Sequence, residues 1–255
     1  MSFIKKNDLF LLEEIIKKNF SAKYKDSYLG VLWTILSPLL LMGLFTIIFS
    51  TLFKRNIENF PLYFLCGWCL FMFFNAGING SMDALRGNKN ILQRTPVPKY
   101  IFVLGAIFSE ILNFFIMMVL LVGVMILTNA TFYWSIFFAI IPVFSLLIML
   151  IGLGLIVSIA CVYYTDIKYL WSVLSMMLMY ASAIFYPMDI IPEPYRGFLI
   201  LNPFYWAVDQ FRCFIYNGII PQLGYVLNLI LLSLIIFILG IIIFKKYENK
   251  ITMKF

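Results

Sequence analysis

The sequence predicts an all-α integral membrane protein: six transmembrane helices, an N-terminal amphipathic interface helix, and external re-entrant helices between the last two spans. Three observations lead there. Of the 255 residues 63% are hydrophobic and 12% are charged, whereas a soluble domain carries about 25% charged residues. Apolar runs of the roughly 20 residues needed to cross a bilayer recur along the chain. When those runs are threaded with the N-terminus inside, 15 of the 19 basic residues fall on the cytoplasmic side, as the positive-inside rule requires.

The chain is read as one transmembrane domain over residues 1–255, and its elements follow in order. An interface helix over about 8–27 places Leu9, Leu12, Ile16 and Phe20 at helical spacing, with Lys17, Lys18 and Lys25 mostly on the other arc; such a helix lies in a membrane interface. Glu13 and Lys23 interrupt its apolar stripe. Spans are expected at 31–53, 60–81, 101–127, 134–164, 169–187 and 224–244. The fourth is overlong and carries Pro142, Gly152 and Gly154, so it is expected to tilt or kink. The fifth is short and Ser-rich. Only Lys54, Arg55, Arg196 and Arg212 fall outside, which puts both termini in the cytoplasm of a multi-pass protein. Net charge +7 is then explained by this sorting and by attraction to anionic membrane lipids, with no nucleic-acid partner implied. The first apolar run starts too late and runs too long for a cleavable signal peptide.

Catalytic chemistry has little to work with. The sequence contains no histidine, which removes imidazole metal sites, His-activated nucleophiles and His proton relays. Cys66 and Cys69 form a C-x-x-C inside an apolar run, not after a strand, and Cys161 and Cys213 lack metal-ligand spacing to them; all four read as small packing residues. No G-x-x-x-x-G-K-[ST] occurs, so ATP-driven work needs a partner with its own P-loop. The chain is therefore read as a non-enzyme with no catalytic, cofactor-binding or metal-binding residues of its own.

Three regions carry candidate functional residues. The cytoplasmic loop 83–100 combines Arg86, Lys89 and Arg94 with Pro96 and Pro98, which end one element and start another. It reads either as a docking surface or as a solvated topology signal. The external connection 188–223 is long and far from polar. It reads as two short helices re-entering the outer leaflet, sheltered by protein, the second from about Tyr205 to Tyr216 with Asp209 and Arg212 spaced to neutralise one another. Tyr and Trp residues near the presumed interfaces read as membrane-belt anchors; among them Trp33, Tyr186, Tyr205, Trp206 and Tyr216 are candidates to stack on sugar rings along a path. Glu110, about three turns into the third span, is expected to face the bundle interior, where a contact with Asn113 or with a neighbouring Ser or Tyr fits better than proton relay.

The string YKDSYLGVLWTILSPLL (Tyr24 to Leu40) resembles the junction between interface helix and first span in membrane subunits of ABC-2 type exporters, in the branch that serves O-antigen, capsule and teichoic acid export. TPVPKY (Thr95 to Tyr100), TDIKYLW (Thr165 to Trp171), SAIFYP (Ser182 to Pro187) and NPFYWAVDQFR (Asn202 to Arg212) resemble its further landmarks in the same order. The resemblance implies a permease of the bacterial or archaeal cytoplasmic (inner) membrane that forms a homodimeric channel for a lipid-linked polysaccharide. Two copies of a cytosolic ABC ATPase, which uses ATP and Mg, would drive it. On that basis Glu13, Lys17, Lys23, Arg86, Lys89 and Arg94 would couple to the ATPase, the five aromatics would line the substrate path, and Pro187, Asp209 and Arg212 would belong to an external gate. Two other readings stay open: a drug or small-lipid exporter of the same superfamily, and a membrane-embedded glycosyl- or acyltransferase.

Overall fold

The computed structural model describes residues 6–25, 27–51 and 57–254. Asp26 of the interface helix, the last two residues of the predicted first span, and the topology markers Lys5, Lys54 and Arg55 lie outside that set. Among the described residues every regular element is helical.

The N-terminal helix α1 (Lys6–Tyr24) ends in a turn and meets a 3-10 turn at Gly30–Leu32, which runs directly into α2 (Trp33–Thr51). Gly30 takes φ +48, a left-handed conformation open to glycine at little cost. The elbow is further set by a hydrogen bond from the Gly30 N–H to Ser27 Oγ at 3.0 Å. The face of α1 that packs inward centres on Ile15, while Leu9 and Phe10 stay exposed. The predicted stripe is thus rotated: Ile15 seats against Gly105, and the leading end of α1 keeps an apolar face outward, as an interfacial helix should.

The second and third predicted spans appear as α3 (Phe60–Ala84) and α5 (Tyr100–Leu127). The loop between them is not irregular throughout, because it folds a short helix α4 (Lys89–Arg94) anchored by buried Leu92. Thr95 then extends at φ −128, ψ 135, as expected of a residue before proline. The fourth span begins with a 3-10 stretch, Trp134–Ala139, and continues as α6 (Ile140–Tyr163). Pro142 therefore falls in the first turn of α6, where its missing N–H is no loss. Gly152 instead lets α6 and α10 (Leu223–Lys254) touch along their backbones: a Cβ at Gly152 would lie 2.6 Å from Ile236 O.

The predicted fifth span is not a continuous helix. Helix α7 covers Ile167–Tyr180, 14 residues, about 21 Å at 1.5 Å per residue and short of the ~30 Å hydrocarbon core. Residues 181–187 unwind, with Ala183 at φ +51 and residues 182–185 buried. Buried, unwound backbone needs partners for its carbonyls, and side chains from far downstream supply them. Asn202 Nδ2 donates to Ala181 O at 3.2 Å, and Arg212 donates to the carbonyls of Ala183 and Ile184, each at 2.8 Å. The connection that follows forms α8 (Glu193–Ile200) and α9 (Pro203–Ile215), then an irregular stretch into α10. The side chain of Asn202 caps α9 by accepting from the N–H of Phe204 at 3.0 Å.

Among the described residues, five helical stretches are long and apolar enough to cross a membrane: Gly30–Phe49, Phe60–Ala84, Tyr100–Leu127, Trp134–Tyr163 and Leu223–Lys250. Of these, α3 is the hub. Its packed face, with fully buried Phe64, Leu65, Leu70 and Ile78, gathers α5, α6 and α9 around it. By contrast, Pro38 is the only buried residue among those described in α2, and α7 has none.

Candidate functional site

Cross-links between helix ends sort the polar side chains into two groups at opposite ends of the bundle. At one end α1 is tied to three neighbours. Lys18 Nζ donates to Asn88 Oδ1 at 3.1 Å, in the α3–α4 connection. Lys23 Nζ lies 2.9 Å from Glu110 Oε2 on α5. Tyr24 Oη sits 2.7 Å from Thr34 Oγ1 on α2 and donates to Asn113 Oδ1 at 2.5 Å. Asn113 Nδ2 also donates to Glu110 at 2.7 Å, so the expected Glu110–Asn113 contact is present. The partner that sequence spacing did not reveal is Lys23, 87 positions away. The pair balances the charge of a carboxylate whose side chain is only 14% exposed, as an ionisable group set into a span requires.

Lys23, Tyr24, Trp33, Thr34 and Glu110 line a cavity of about 320 Å³ between α1, α2, α3 and α5. Trp33 is therefore at this end, apart from the other aromatics singled out in the sequence. On the outer face of α1, Lys17 pairs with Glu13 at 2.8 Å and Glu14 at 3.5 Å. The hydrogen bond to Glu13 and its charge raise the Lys17 ammonium above its ordinary pKa. Arg86, Lys89 and Arg94 all stand exposed around α4, and Lys168 pairs with Asp83 beside them.

At the opposite end, Pro187, Tyr205, Asp209, Arg212 and Tyr216 converge with Tyr63, Glu58 and Asp189 on one cavity of about 440 Å³. Five of the residues picked out by sequence pattern thus meet in space. Tyr186 and Trp206 lie outside that lining and bond to nearby backbone: Tyr186 Oη to Tyr180 O, and Trp206 Nε1 to Ile200 O at 2.7 Å.

The expected Asp209–Arg212 pair is not made. The guanidinium of Arg212, 5% exposed, turns away along α9 to the broken end of α7. It donates to Tyr63 Oη at 2.9 Å, to Tyr63 O from two nitrogens at 3.2 Å, and to the carbonyls of Ala183 and Ile184. Its carbon also lies 3.6 Å from the centroid of the Tyr63 ring, a cation–π contact. The planar fork suits this cage in a way a lysine could not. Gly67 leaves it room, since a Cβ there would stand 3.0 Å from Arg212 Nη2. Asp209 accepts instead from Tyr225 Oη on α10 at 3.1 Å. Sequence reasoning missed Tyr63, whose role comes from a contact 149 positions away, and no local pattern announces it.

A bundle of long apolar helices, with a tethered amphipathic helix at one end and a caged, aromatic-walled cavity at the other, defines a polytopic membrane protein. Comparison with known proteins is more specific. The ABC-2 type transporter family matches residues 11–216, from α1 through α9, and the chain belongs to that family. It is 25% identical over 246 residues to the O-antigen export system permease protein RfbA of Klebsiella pneumoniae, covering 94% of this chain and 93% of that protein. Similarity to RfbA of Myxococcus xanthus is 24% over 217 residues, covering 83% and 82%. The polysialic acid transport protein KpsM of Escherichia coli is 26% identical over 246 residues, covering 93% of each.

Proposed function

We propose that this chain is the membrane permease of an ATP-driven exporter that carries a lipid-linked polysaccharide out of the cytoplasm across the inner membrane. The observation that carries the reading is similarity along nearly the whole chain to permeases named for O-antigen and polysialic acid export. The working unit is a homodimer with two copies of a separate cytosolic ATPase. Helices α2 and α7, the least buried of the bundle, supply the face a second copy would cover. Ser37 and Ser172 stand exposed on them, small polar residues of the kind that favour helix contacts within a bilayer.

The chain crosses six times. The fifth crossing is α7 together with residues 181–187, an unwound stretch tolerated at membrane depth because protein shelters it, and α8 and α9 re-enter the outer leaflet. Both termini are cytoplasmic. Closure of the ATPase pushes on Arg86, Lys89 and Arg94 around α4 and on the Glu13–Lys17 face of α1. The ties from Lys18 to Asn88, Lys23 to Glu110 and Tyr24 to Thr34 pass that motion to α5 and α2. Pro187, Asp209 and Arg212 form the external gate, and Tyr186, Tyr205, Trp206 and Tyr216 guide the glycan to it.

The test is a deletion with complementation, combined with affinity purification from membranes. The expected result is loss of surface polysaccharide that the wild-type gene restores, together with co-purification of an ABC ATPase. A deletion strain with unchanged surface glycan would sink the polysaccharide reading; if it also lost resistance to small amphiphiles, the drug-exporter reading would take its place.

A further inference from the structure

On the far side of Tyr216 lies a second outer cavity, of about 790 Å³, in whose lining Tyr216 is the one residue that the sequence reading singled out. Its size is within the ~300–1,000 Å³ of small-ligand sites. Three stretches build it: residues 58–62 before and at the start of α3, 128–133 after α5, and 215–219 at and beyond the end of α9. They are fastened to one another. Tyr216 Oη donates to Glu58 O, Asn59 Nδ2 donates to Thr128 Oγ1 at 2.9 Å, and Ser135 Oγ donates to Phe214 O at 2.6 Å. Gly218, at φ +69, brings its backbone so close to Tyr133 that a Cβ would lie 2.5 Å from the ring, which holds the aromatic plane in place. The walls therefore pre-exist any ligand.

The chemistry of the lining is selective. Glu58, Asn59, Asn129, Thr131 and Asn217 contribute a carboxylate, three amides and a hydroxyl, while Tyr133 and Tyr216 contribute rings. Among the described lining residues there is no Lys or Arg, and Glu58 opposes an anion. Acceptors and donors interleaved with aromatic rings match a ligand whose hydroxyls donate and accept on its edge and whose C–H face is apolar. That describes an uncharged sugar ring, not a phosphate or a hydrocarbon chain.

We infer that this cavity is a binding site for an uncharged pyranose unit of the exported glycan, an outer subsite that receives sugar residues after the gate. Glu58, Tyr216 and Asn217 also line the Arg212 cavity, so the two share a wall and a sugar leaving one meets the other. The inference rests on the polysaccharide reading for the source of its ligand, but the site itself is tested without export.

The experiment is saturation-transfer NMR on the purified chain in lipid nanodiscs, with millimolar glucose, galactose, rhamnose and N-acetylglucosamine as probes and glycerol phosphate as the anionic control. At least one pyranose should give signal and glycerol phosphate none. The Glu58→Gln/Thr131→Val variant, altered at two exposed loop positions, should bind that sugar about tenfold more weakly, a loss of about 1.4 kcal/mol, while its thermal unfolding matches wild type. No transfer to any of the sugars, transfer equal in the variant, or stronger transfer to glycerol phosphate would each overturn the site. The two ideas fail separately: a deletion that blocks glycan export with sugar binding unchanged in the variant sinks only the subsite, whereas an exporting deletion strain with variant-sensitive sugar binding sinks only the export reading.

Discussion

At the scale of single residues, the decisive side chains bond to groups that sequence spacing does not show. Arg212 and Asp209 stand at i, i+3, and that spacing predicts a mutual pair. Arg212 instead satisfies carbonyls that exist as acceptors only because residues 181–187 have left the helix. The Arg212→Met variant would strip the Ile184 carbonyl of its side-chain donor and leave the Ala183 carbonyl only the Tyr63 hydroxyl at 3.4 Å, at about 1–3 kcal/mol each. We expect a loss of roughly 3 kcal/mol or more, read as a clear drop in the thermal unfolding midpoint in detergent; Arg212→Lys should recover only part of it. An unchanged midpoint in the Met variant would mean the cage adds nothing to stability. Glu110 was legible as an inward-facing acid with Asn113 beside it, but its ion partner comes from the interface helix. A double-mutant cycle of Lys23→Met and Glu110→Gln should give a coupling of about 0.5–1 kcal/mol, modest because the Lys23 side chain is 43% exposed. Coupling indistinguishable from zero would demote the pair to a surface contact.

At the scale of elements, continuous helices were legible and interruptions were not. The spans at 60–81, 101–127 and 224–244 were predicted close to where α3, α5 and α10 lie, since long apolar runs leave a helix as the main way to satisfy backbone groups in lipid. The end of α7 was missed by seven residues because no Gly or Pro sits at Ala181. The break is held by Asn202 and Arg212, more than 20 positions downstream. In the fourth span, expected to tilt or kink with Pro142, Gly152 and Gly154 along it, Pro142 lies in a first turn and Gly152 is a close-packing point. A Cβ at Gly152 would press on Ile236 O and Phe237 Cα, both at 2.6 Å, so α6 and α10 would have to part. Gly152→Ala should destabilise the fold by about 1–3 kcal/mol, seen as earlier unfolding and faster proteolysis, and Gly152→Leu by more. Wild-type melting of the Leu variant would show that this interface yields freely.

At the scale of the whole molecule, the structure is an amphipathic helix tied to a helical bundle. Reversing charge at Arg86, Lys89 and Arg94 should leave insertion and α4 intact, because all three side chains are exposed, yet cut export at least about tenfold while the ATPase still hydrolyses ATP. Normal export per ATP in that variant would reduce the loop to a topology signal. The elbow at Gly30 adds a consequence of a different kind. Its φ is +48, yet a Cβ built there meets nothing within 4 Å, so what the site excludes is a torsion, not a volume. An L-residue is penalised by about 1–2 kcal/mol in this conformation and relieved of that penalty in any arrangement where the elbow unbends. Gly30→Ala therefore acts as a chiral weight on the resting geometry, shifting the balance between bent and unbent forms by about fivefold or more. It should alter the basal ATPase rate of the assembled transporter without altering ATPase binding. The mirror-image residue, D-alanine introduced by semisynthesis, should leave that rate where glycine sets it.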